Sequence, residues 1–245
     1  MRARTALGVI ALAAFLTACG GGGGSSNNSS TPAVQNQDPQ GFWQGTTTNG
    51  STVAALVLET GQYYALYSTN NAAYGMVEGT FSTSGNTITD KSSVDFLIGV
   101  GAIPASITGS ANTKQSISGN ISESNTSITF SGNYNTAYDT PATLSEAVGT
   151  WTGQATGGNV TTTLTVTSTG AFTGSSGTCA FTGTVAPRAS GKNVFNGNIT
   201  FNTATCQLGA GVTVPFNAVT TGNQMVAAGV NSSRSNGFIF IGAKS

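Results

Sequence analysis

The chain contains an internal repeat, and this feature restricts its fold more than any other. The pentapeptide Gly-Phe-Trp-Gln-Gly at 41–45 recurs as Gly-Thr-Trp-Thr-Gly at 149–153, so that Trp151 follows Trp43 by 108 positions. Downstream positions stay aligned at the same offset: Ala54, Leu56, Leu58 and Tyr64 correspond to Thr162, Leu164, Val166 and Phe172. The pattern predicts a duplicated domain of about 100 residues.

Within each copy, apolar and polar residues alternate with a period of two, which is typical of β-strands with one buried face. An example is the alternation of Phe195, Ile199 and Phe201 with Asn196, Asn198 and Asn202. About eight such segments per copy, separated by Gly, Asn and Ser turns, predict an all-β chain of two tandem antiparallel up-and-down β-barrels or half-barrels. A β-sandwich is the alternative. A short helical connector is predicted between the copies, with Thr140 as N-cap and Pro141 at the first helical position.

The N-terminus resembles that of a bacterial lipoprotein. A basic start with Arg2 and Arg4 precedes an apolar run at 6–15, which is shorter than the roughly 20 residues of a membrane-spanning helix. The sequence Leu-Thr-Ala-Cys-Gly at 16–20 resembles the bacterial lipobox, which implies acylation of Cys19, with palmitate as the expected fatty acid, and stable membrane attachment. In bacterial lipoproteins, an Asp directly after the lipidated Cys retains the protein at the inner membrane. This chain has Gly20 at that position, which favours the outer membrane.

These features divide the chain into five segments. Residues 1–18 are the predicted signal peptide, and residues 19–37 form a tether rich in Gly, Ser and Asn without charge. A flexible coil of this length reaches roughly 25 Å root-mean-square. The predicted folded segments are a first barrel domain at 38–139, a short helical connector at 140–148 and a second barrel domain at 149–245.

Further resemblances concern the folded part. The Gly-x-Trp at the first strand of each copy resembles the lipocalin and avidin barrels, which implies that Trp43 and Trp151 plug one end of each barrel. The segments Gly-Val-Asn-Ser at 229–232 and Gly-Phe-Ile-Phe-Ile-Gly at 237–242 are similar to the tail of uncharacterised proteobacterial lipoproteins. That similarity implies fold and membrane address but no activity. In architecture alone, the chain resembles transferrin-binding protein B and factor H-binding protein, which carry lipidated tethers and small barrels.

Charge and histidine content exclude several kinds of function. The chain has no His, which excludes Ser-His-Asp and Cys-His nucleophiles and imidazole metal sites. Its formal net charge is zero and it has no Lys/Arg cluster, so we expect no nucleic-acid partner. All eight acidic residues precede Val148, so the second copy has no side-chain carboxylate for acid–base chemistry or for a hard cation. We expect no cofactor and no metal.

Cys179 and Cys206 are the predicted disulfide. With Cys19 acylated, they remain as an even pair in an oxidising compartment. A metal site would need further thiol or imidazole ligands, and the cysteines of a redox pair usually lie closer together in sequence.

The first copy carries the other candidate residues. Tyr63, Tyr67 and Tyr74 offer aromatic faces to a ligand, although alternation along a strand directs part of this set into the core. The carboxylates that a glycosidase-like hydrolase would use are Glu78, Asp90 and Asp95.

We therefore expect a non-enzymatic binding module anchored in the outer membrane. Its ligand would be an envelope or host protein bound by the loops, or a small apolar molecule inside one barrel. The four cations after Val148 also suit anionic lipid, and they could dock the second domain electrostatically on the acidic first domain. The alternatives are a structural envelope protein without a ligand and, least favoured, a hydrolase.

Overall fold

The computed structural model describes residues 35–69, 72–155 and 160–245. The predicted signal peptide, Cys19 and residues 19–34 of the predicted tether lie outside the described residues. From residue 35 onward the chain belongs to one compact, almost entirely β unit. Within the described ranges, no helix has the length and apolar character needed to cross a bilayer.

The first half of the chain has nine described strands, eight of which form a barrel. They are β1 (Gly41–Thr47), β2 (Thr52–Val57), β3 (Gln62–Thr69), β4 (Ala72–Thr80), β5 (Ser82–Ser84), β6 (Thr87–Leu97), β7 (Gly101–Asn112), β8 (Ser116–Ser122) and β9 (Ser127–Tyr134). The sheet runs antiparallel in the order β4-β3-β2-β1-β9-β8-β7-β6. β4 also pairs with β6, which closes an eight-stranded barrel, and the short β5 pairs with the start of β6.

The second barrel has eight described strands in simple succession. They are β10 (Gly149–Ala155), β11 (Thr161–Val166), β12 (Ala171–Ser176), β13 (Cys179–Pro187), β14 (Phe195–Phe201), β15 (Thr213–Thr221), β16 (Gln224–Val230) and β17 (Gly237–Lys244). β10 pairs with β17 and closes the barrel. The prediction of two tandem antiparallel barrels is confirmed in its closed form. The sandwich alternative is wrong because each sheet closes on itself.

Alternation along the strands explains why this Thr-rich and Gly-rich sequence folds into barrels. In β14, Phe195, Ile199 and Phe201 are buried, whereas Asn196 and Asn198 are exposed. Such strands bury one face only, and closure leaves no unpaired edge. Glycine supplies the tight turns that up-and-down topology needs. Gly177 and Gly222 have φ of 56° and 58° in the connections β12–β13 and β15–β16, a conformation that other residues adopt at a cost.

The connector differs from the sequence prediction. After β9 the chain forms a 3₁₀ turn at Thr136–Asp139, and the single helical turn α1 spans Leu144–Ala147. Thr140 is therefore the C-cap of the 3₁₀ turn, and the prediction of Thr140 as N-cap and Pro141 as first helical residue is wrong. Thr143 is the N-cap instead, because its backbone N–H donates to the carboxylate of Glu146 at 2.7 Å in a capping-box arrangement.

The two barrels pack against each other through apolar side chains on their outer faces. Two clusters cross the interface: Tyr64, Leu66, Met76 and Phe96 with Ala228, Val230 and Ile239, and Phe42, Leu56, Leu58 and Tyr138 with Val194 and Val219. The approach is close at Gly237, where a Cβ would lie 2.8 Å from Met76 Cε. Because these clusters bury apolar side chains from both barrels, the barrels form one packed unit rather than two independent domains joined by a linker.

Ion pairs surround this interface. Arg188 binds Glu59 at 2.6 Å, and Arg234 binds Glu78 at 2.6 Å. Lys192 binds Asp139 of the 3₁₀ turn at 2.7 Å, and hydrogen bonds from Lys192 and Lys114 hold the pKa of Asp139 at about 2. The opposite charges that the sequence places in the two halves therefore meet, at the margins of a mainly apolar contact.

Candidate binding site in the second barrel

The two repeated tryptophans occupy equivalent positions. Trp43 and Trp151 are almost fully buried, and the indole N–H of each donates to the backbone carbonyl four residues earlier, at 2.9 Å to Pro39 and 2.7 Å to Ala147. Lys244 Nζ lies 5.0 Å from the centre of the Trp151 ring. This geometry fits the plug role inferred from the Gly-x-Trp motif, which stays a prediction.

Five phenylalanine side chains form a closed circuit of edge-to-face contacts inside the second barrel. The ring centres of consecutive members lie 6.0–6.5 Å apart. In contact order this phenylalanine ring consists of Phe172, Phe181, Phe201, Phe238 and Phe216. Edge-to-face pairs contribute about 0.5–1.5 kcal/mol each beyond area burial, so the circuit fixes the shape of the interior.

Glycines on neighbouring strands make room for these rings. Phe172 lies opposite Gly183 and Phe181 lies opposite Gly174, because β12 and β13 each carry the sequence Phe-x-Gly and run antiparallel. A Cβ on Gly183 would clash with the backbone carbonyl oxygen of Asn198 and with Phe172 Cζ, and one on Gly174 would stand 2.5 Å from a ring carbon of Phe181. Each ring thus lies over a backbone position where no other residue type fits.

A cavity of about 90 Å³ remains inside the second barrel. The atoms that the described residues expose to this cavity are all apolar, and none of these residues carries a charge. Besides the phenylalanine ring, it is lined by Ala155, Thr162, Leu164, Val166, Ser176, Cys179, Val185, Ile199, Met225, Ala227 and Phe240. A cavity with such a wall excludes water and favours apolar occupants.

The mouth of the cavity lies at the end of the barrel opposite Trp151. There Ala155, Ser176 and Cys179 are half-buried and so face both the cavity and the outside. Thr162 is 2% exposed, and its hydroxyl donates to Ser176 Oγ at 2.8 Å. The hydroxyl pair is the polar feature of a mouth that carries no charged side chain in the described residues.

The Cys179–Cys206 disulfide forms beside this mouth, as predicted, with the two Cα atoms 4.6 Å apart. It pins the 202–212 connection to the start of β13, and Thr205 strengthens this attachment by donating to the carbonyl of Thr178 at 2.7 Å. Leu208 and Val212 of the same connection pack on the core. The disulfide therefore holds a cover over part of this end of the barrel.

The three tyrosines proposed as ligand contacts lie in the first barrel and use their hydroxyls there. Tyr63 is buried and bonds Asp90 and Ser93, each at 3.0 Å. Tyr67 donates to Asp95. Tyr63 and Tyr67 line an interior cavity of only about 40 Å³.

Tyr74 lies edge-on to Tyr67, at 4.7 Å between ring centres, and its hydroxyl bonds Ser51. It does not line the cavity of the first barrel within the described residues. The structure therefore brings Tyr67 and Tyr74 into contact, and the hydroxyl of each makes a hydrogen bond within the protein, to Asp95 and Ser51 respectively. A ligand-contact role for the three residues stays a proposal.

The carboxylates of the hydrolase alternative do not converge. Glu78 lies on the outer face of β4 and bonds Arg234, whereas Asp90 and Asp95 face the interior of the first barrel. Asp90 accepts from the backbone N–H groups of Thr80 and Ser92 as well as from Tyr63.

Asp95 has the most perturbed carboxyl group of the interior. Burial and, to a smaller extent, the nearby carboxyl of Glu123 raise its pKa to about 7, against the lowering effect of the hydrogen bond from Tyr67. Burial likewise raises the pKa of Tyr67, so this phenol remains a donor. No group of three or more potential metal-ligating side chains occurs in the ranges that the structure describes.

The sequence allowed a small apolar ligand inside one barrel, but it did not identify the second barrel or the residues that line its cavity. A signal for it exists: Phe-x-Gly occurs once before Val148, at 130–132, and four times after it, at 172–174, 181–183, 195–197 and 240–242. Two of the later segments face each other across β12 and β13. From the sequence, inward glycines such as Gly197 would hollow the interior and inward Phe and Tyr would fill it, and the sequence does not decide between these two effects. The structure shows that the ring of Phe216 covers Gly197, so the open volume lies between rings instead.

No protein-family model and no curated protein matches the sequence. Among solved structures, isotype 1 transferrin-binding protein B from serogroup B Neisseria meningitidis matches 80% of this chain at 13% identity and a TM-score of 0.31. The match covers 52% of that chain, so the present chain spans about half its length. A mutant of transferrin-binding protein B from Haemophilus parasuis matches 86% of this chain and 77% of that chain, at 8% identity and a TM-score of 0.28.

Proposed function

We propose that the chain is a lipid-anchored, non-enzymatic binding protein whose second barrel holds a small apolar ligand. The observation that carries this proposal is the apolar cavity of about 90 Å³ within the phenylalanine ring. Eight-stranded barrels are wide enough either to be filled by side chains or to hold one small ligand. The second barrel leaves more than twice the open volume of the first, which is about 40 Å³.

The size and the wall of the cavity define the ligand. Apolar protein cavities of about 150 Å³ stay dry and bind benzene or xenon. A cavity of about 90 Å³ therefore suits a smaller group, such as a short hydrocarbon or the end of an alkyl chain. Binding is driven by transfer of apolar surface out of water, at roughly 25 cal/mol per Å².

Binding of a small hydrocarbon tests the proposal. We expect cyclopropane to shift the methyl NMR signals of Leu164, Ile199 and Met225, which line the cavity. Ala227→Leu fills the cavity and should abolish the shifts, whereas Ala171→Leu, on an exposed position of β12, should leave them unchanged. Absence of any shift in the unmodified protein would refute the ligand site and leave the structural envelope role.

Lipid attachment at Cys19 is the second part of the proposal, and the lipobox sequence supports it. We expect the intact chain to fractionate with the outer membrane and Cys19→Ala to be released into the soluble fraction. A Cys19→Ala variant that stays in the detergent-extractable membrane would contradict the anchor. The cavity experiment is independent of this result.

A further inference from the structure

Among the described residues, the mouth of the cavity in the second barrel carries a pair of hydroxyl groups and no charged side chain. Thr162 and Ser176 lie opposite each other on the adjacent strands β11 and β12, and the Thr162 hydroxyl donates a hydrogen bond to Ser176 Oγ at 2.8 Å. Both residues line the cavity, with their hydroxyl groups turned toward each other so that the wall itself exposes apolar atoms, and Ser176 is half-buried. A hydroxyl pair of this kind can exchange its mutual hydrogen bond for hydrogen bonds to an incoming neutral polar group.

The charged side chains of the second barrel are occupied elsewhere. Arg188 bonds Glu59, Lys192 bonds Asp139, and Lys244 donates to the carbonyl of Glu146 beside Trp151, at the far end of the barrel. Arg234 belongs to the β16–β17 connection near the mouth end, but its guanidinium bonds Glu78 of the first barrel. The sequence contains no acidic side chain after Glu146.

Building on the proposed ligand site, we propose that its ligand is a neutral amphiphile: an alkyl chain whose end fills the cavity and whose uncharged, hydroxyl-type polar group bonds Thr162 and Ser176 at the mouth. A carboxylate, phosphate or ammonium group at this position would lose water without gaining a counter-ion, which costs far more than desolvating a hydroxyl. The barrel therefore selects against fatty acids and alkylamines of the same chain length.

Three probes of equal chain length test this selection at pH 7: 1-butanol, butanoate and butylammonium. We expect 1-butanol to bind and the two charged probes to bind at least about thirty-fold more weakly, measured by methyl NMR titration of Leu164, Ile199 and Met225. Equal binding of butanoate or butylammonium would overturn the neutral-amphiphile assignment.

Removal of the hydroxyls tests the role of the mouth. Thr162→Val is nearly isosteric and should weaken 1-butanol binding about two- to ten-fold, as expected for one lost hydrogen bond, and this loss should exceed any change in the binding of cyclopropane, which makes no hydrogen bond. Ser176→Ala should act in the same direction. Thr161→Val, at the exposed neighbouring position, is the matched control and should alter neither ligand.

The two proposals fail in different ways. If cyclopropane binds but 1-butanol shows no dependence on Thr162 and Ser176, the cavity is a ligand site and the assignment of its polar group is wrong. If neither cyclopropane nor 1-butanol binds, the ligand site itself is refuted. A melting temperature of Thr162→Val within about 2 °C of that of the parent shows that the comparison concerns a folded protein.

Discussion

Removal of the Cys179–Cys206 disulfide should lower the melting temperature by about 7–14 °C in a single transition. The bond joins residues 27 positions apart. The chain-entropy relation for a closed loop of about 28 residues gives roughly 3.6 kcal/mol of stabilisation at 25 °C. A cooperative unit of 150–250 residues loses about 2–4 °C per kcal/mol.

The size of the shift also reports on how the barrels unfold. The apolar clusters around Met76 and Val219 couple the barrels, so we expect them to unfold together. If the second barrel unfolded alone, as a domain of 60–100 residues, the same loss would shift its transition by about 14–29 °C. The first barrel would then melt separately and would not respond.

Scanning calorimetry on a Cys19→Ala background, with and without Cys179→Ala and Cys206→Ala, gives the measurement. Dithiothreitol should shift the disulfide-bonded protein and leave the cysteine-free variant unaffected. Thiol titration of the unreduced, denatured Cys19→Ala protein should find no free thiol. Two free thiols would refute the bond, and two separate transitions would refute coupled unfolding.

Three further perturbations test the interior and the interface. The melting temperature should be higher at pH 5 than at pH 8: Asp95 has a pKa of about 7 in the folded chain against an ordinary 3.8, so the stability that its bound proton provides is lost as pH rises from about 4 to about 7. Asp95→Asn should remove most of this pH dependence. Gly183→Ala should destabilise the protein by about 1–3 kcal/mol in urea denaturation, since its Cβ would meet the backbone carbonyl of Asn198 and the ring of Phe172, and an unchanged midpoint would contradict the strand register. Arg234→Met should cost about 3–5 kcal/mol by leaving Glu78 buried without a counter-charge, and Glu78→Leu in the same chain should recover most of that loss; a double variant no more stable than Arg234→Met would contradict this reasoning.

Local periodicity was sufficient to predict the fold class. Strands such as β11 and β14 follow directly from alternation, and turns follow from glycines such as Gly222, because both signals act over a few residues. The helix boundary was mispredicted by three residues for a similarly local reason. Pro141 suits a first helical turn, but the Thr143–Glu146 capping box satisfies backbone donors there and starts the helix later.

The pairing of the barrels and the cavity could not be predicted from periodicity, because both depend on contacts between strands far apart in sequence. Tyr64 and Met76 look like ordinary core residues in the sequence, yet they point out of the first barrel onto the second. The disulfide was predictable once the lipobox had assigned Cys19 to acylation, because this left an even pair of cysteines in an oxidising compartment. Its position beside Thr162 and Ser176, which makes it part of a cavity mouth, required the register of β11, β12 and β13.

A crystal structure determined under xenon pressure tests the ligand cavity most directly. The account predicts one xenon atom inside the second barrel, in contact with Phe201, Phe216 and Phe238, and its loss in Ala227→Leu. Such a site would show that the interior is dry, apolar and accessible. Absence of xenon from the second barrel, or ordered water in its place, would contradict the claim that this barrel binds an apolar ligand.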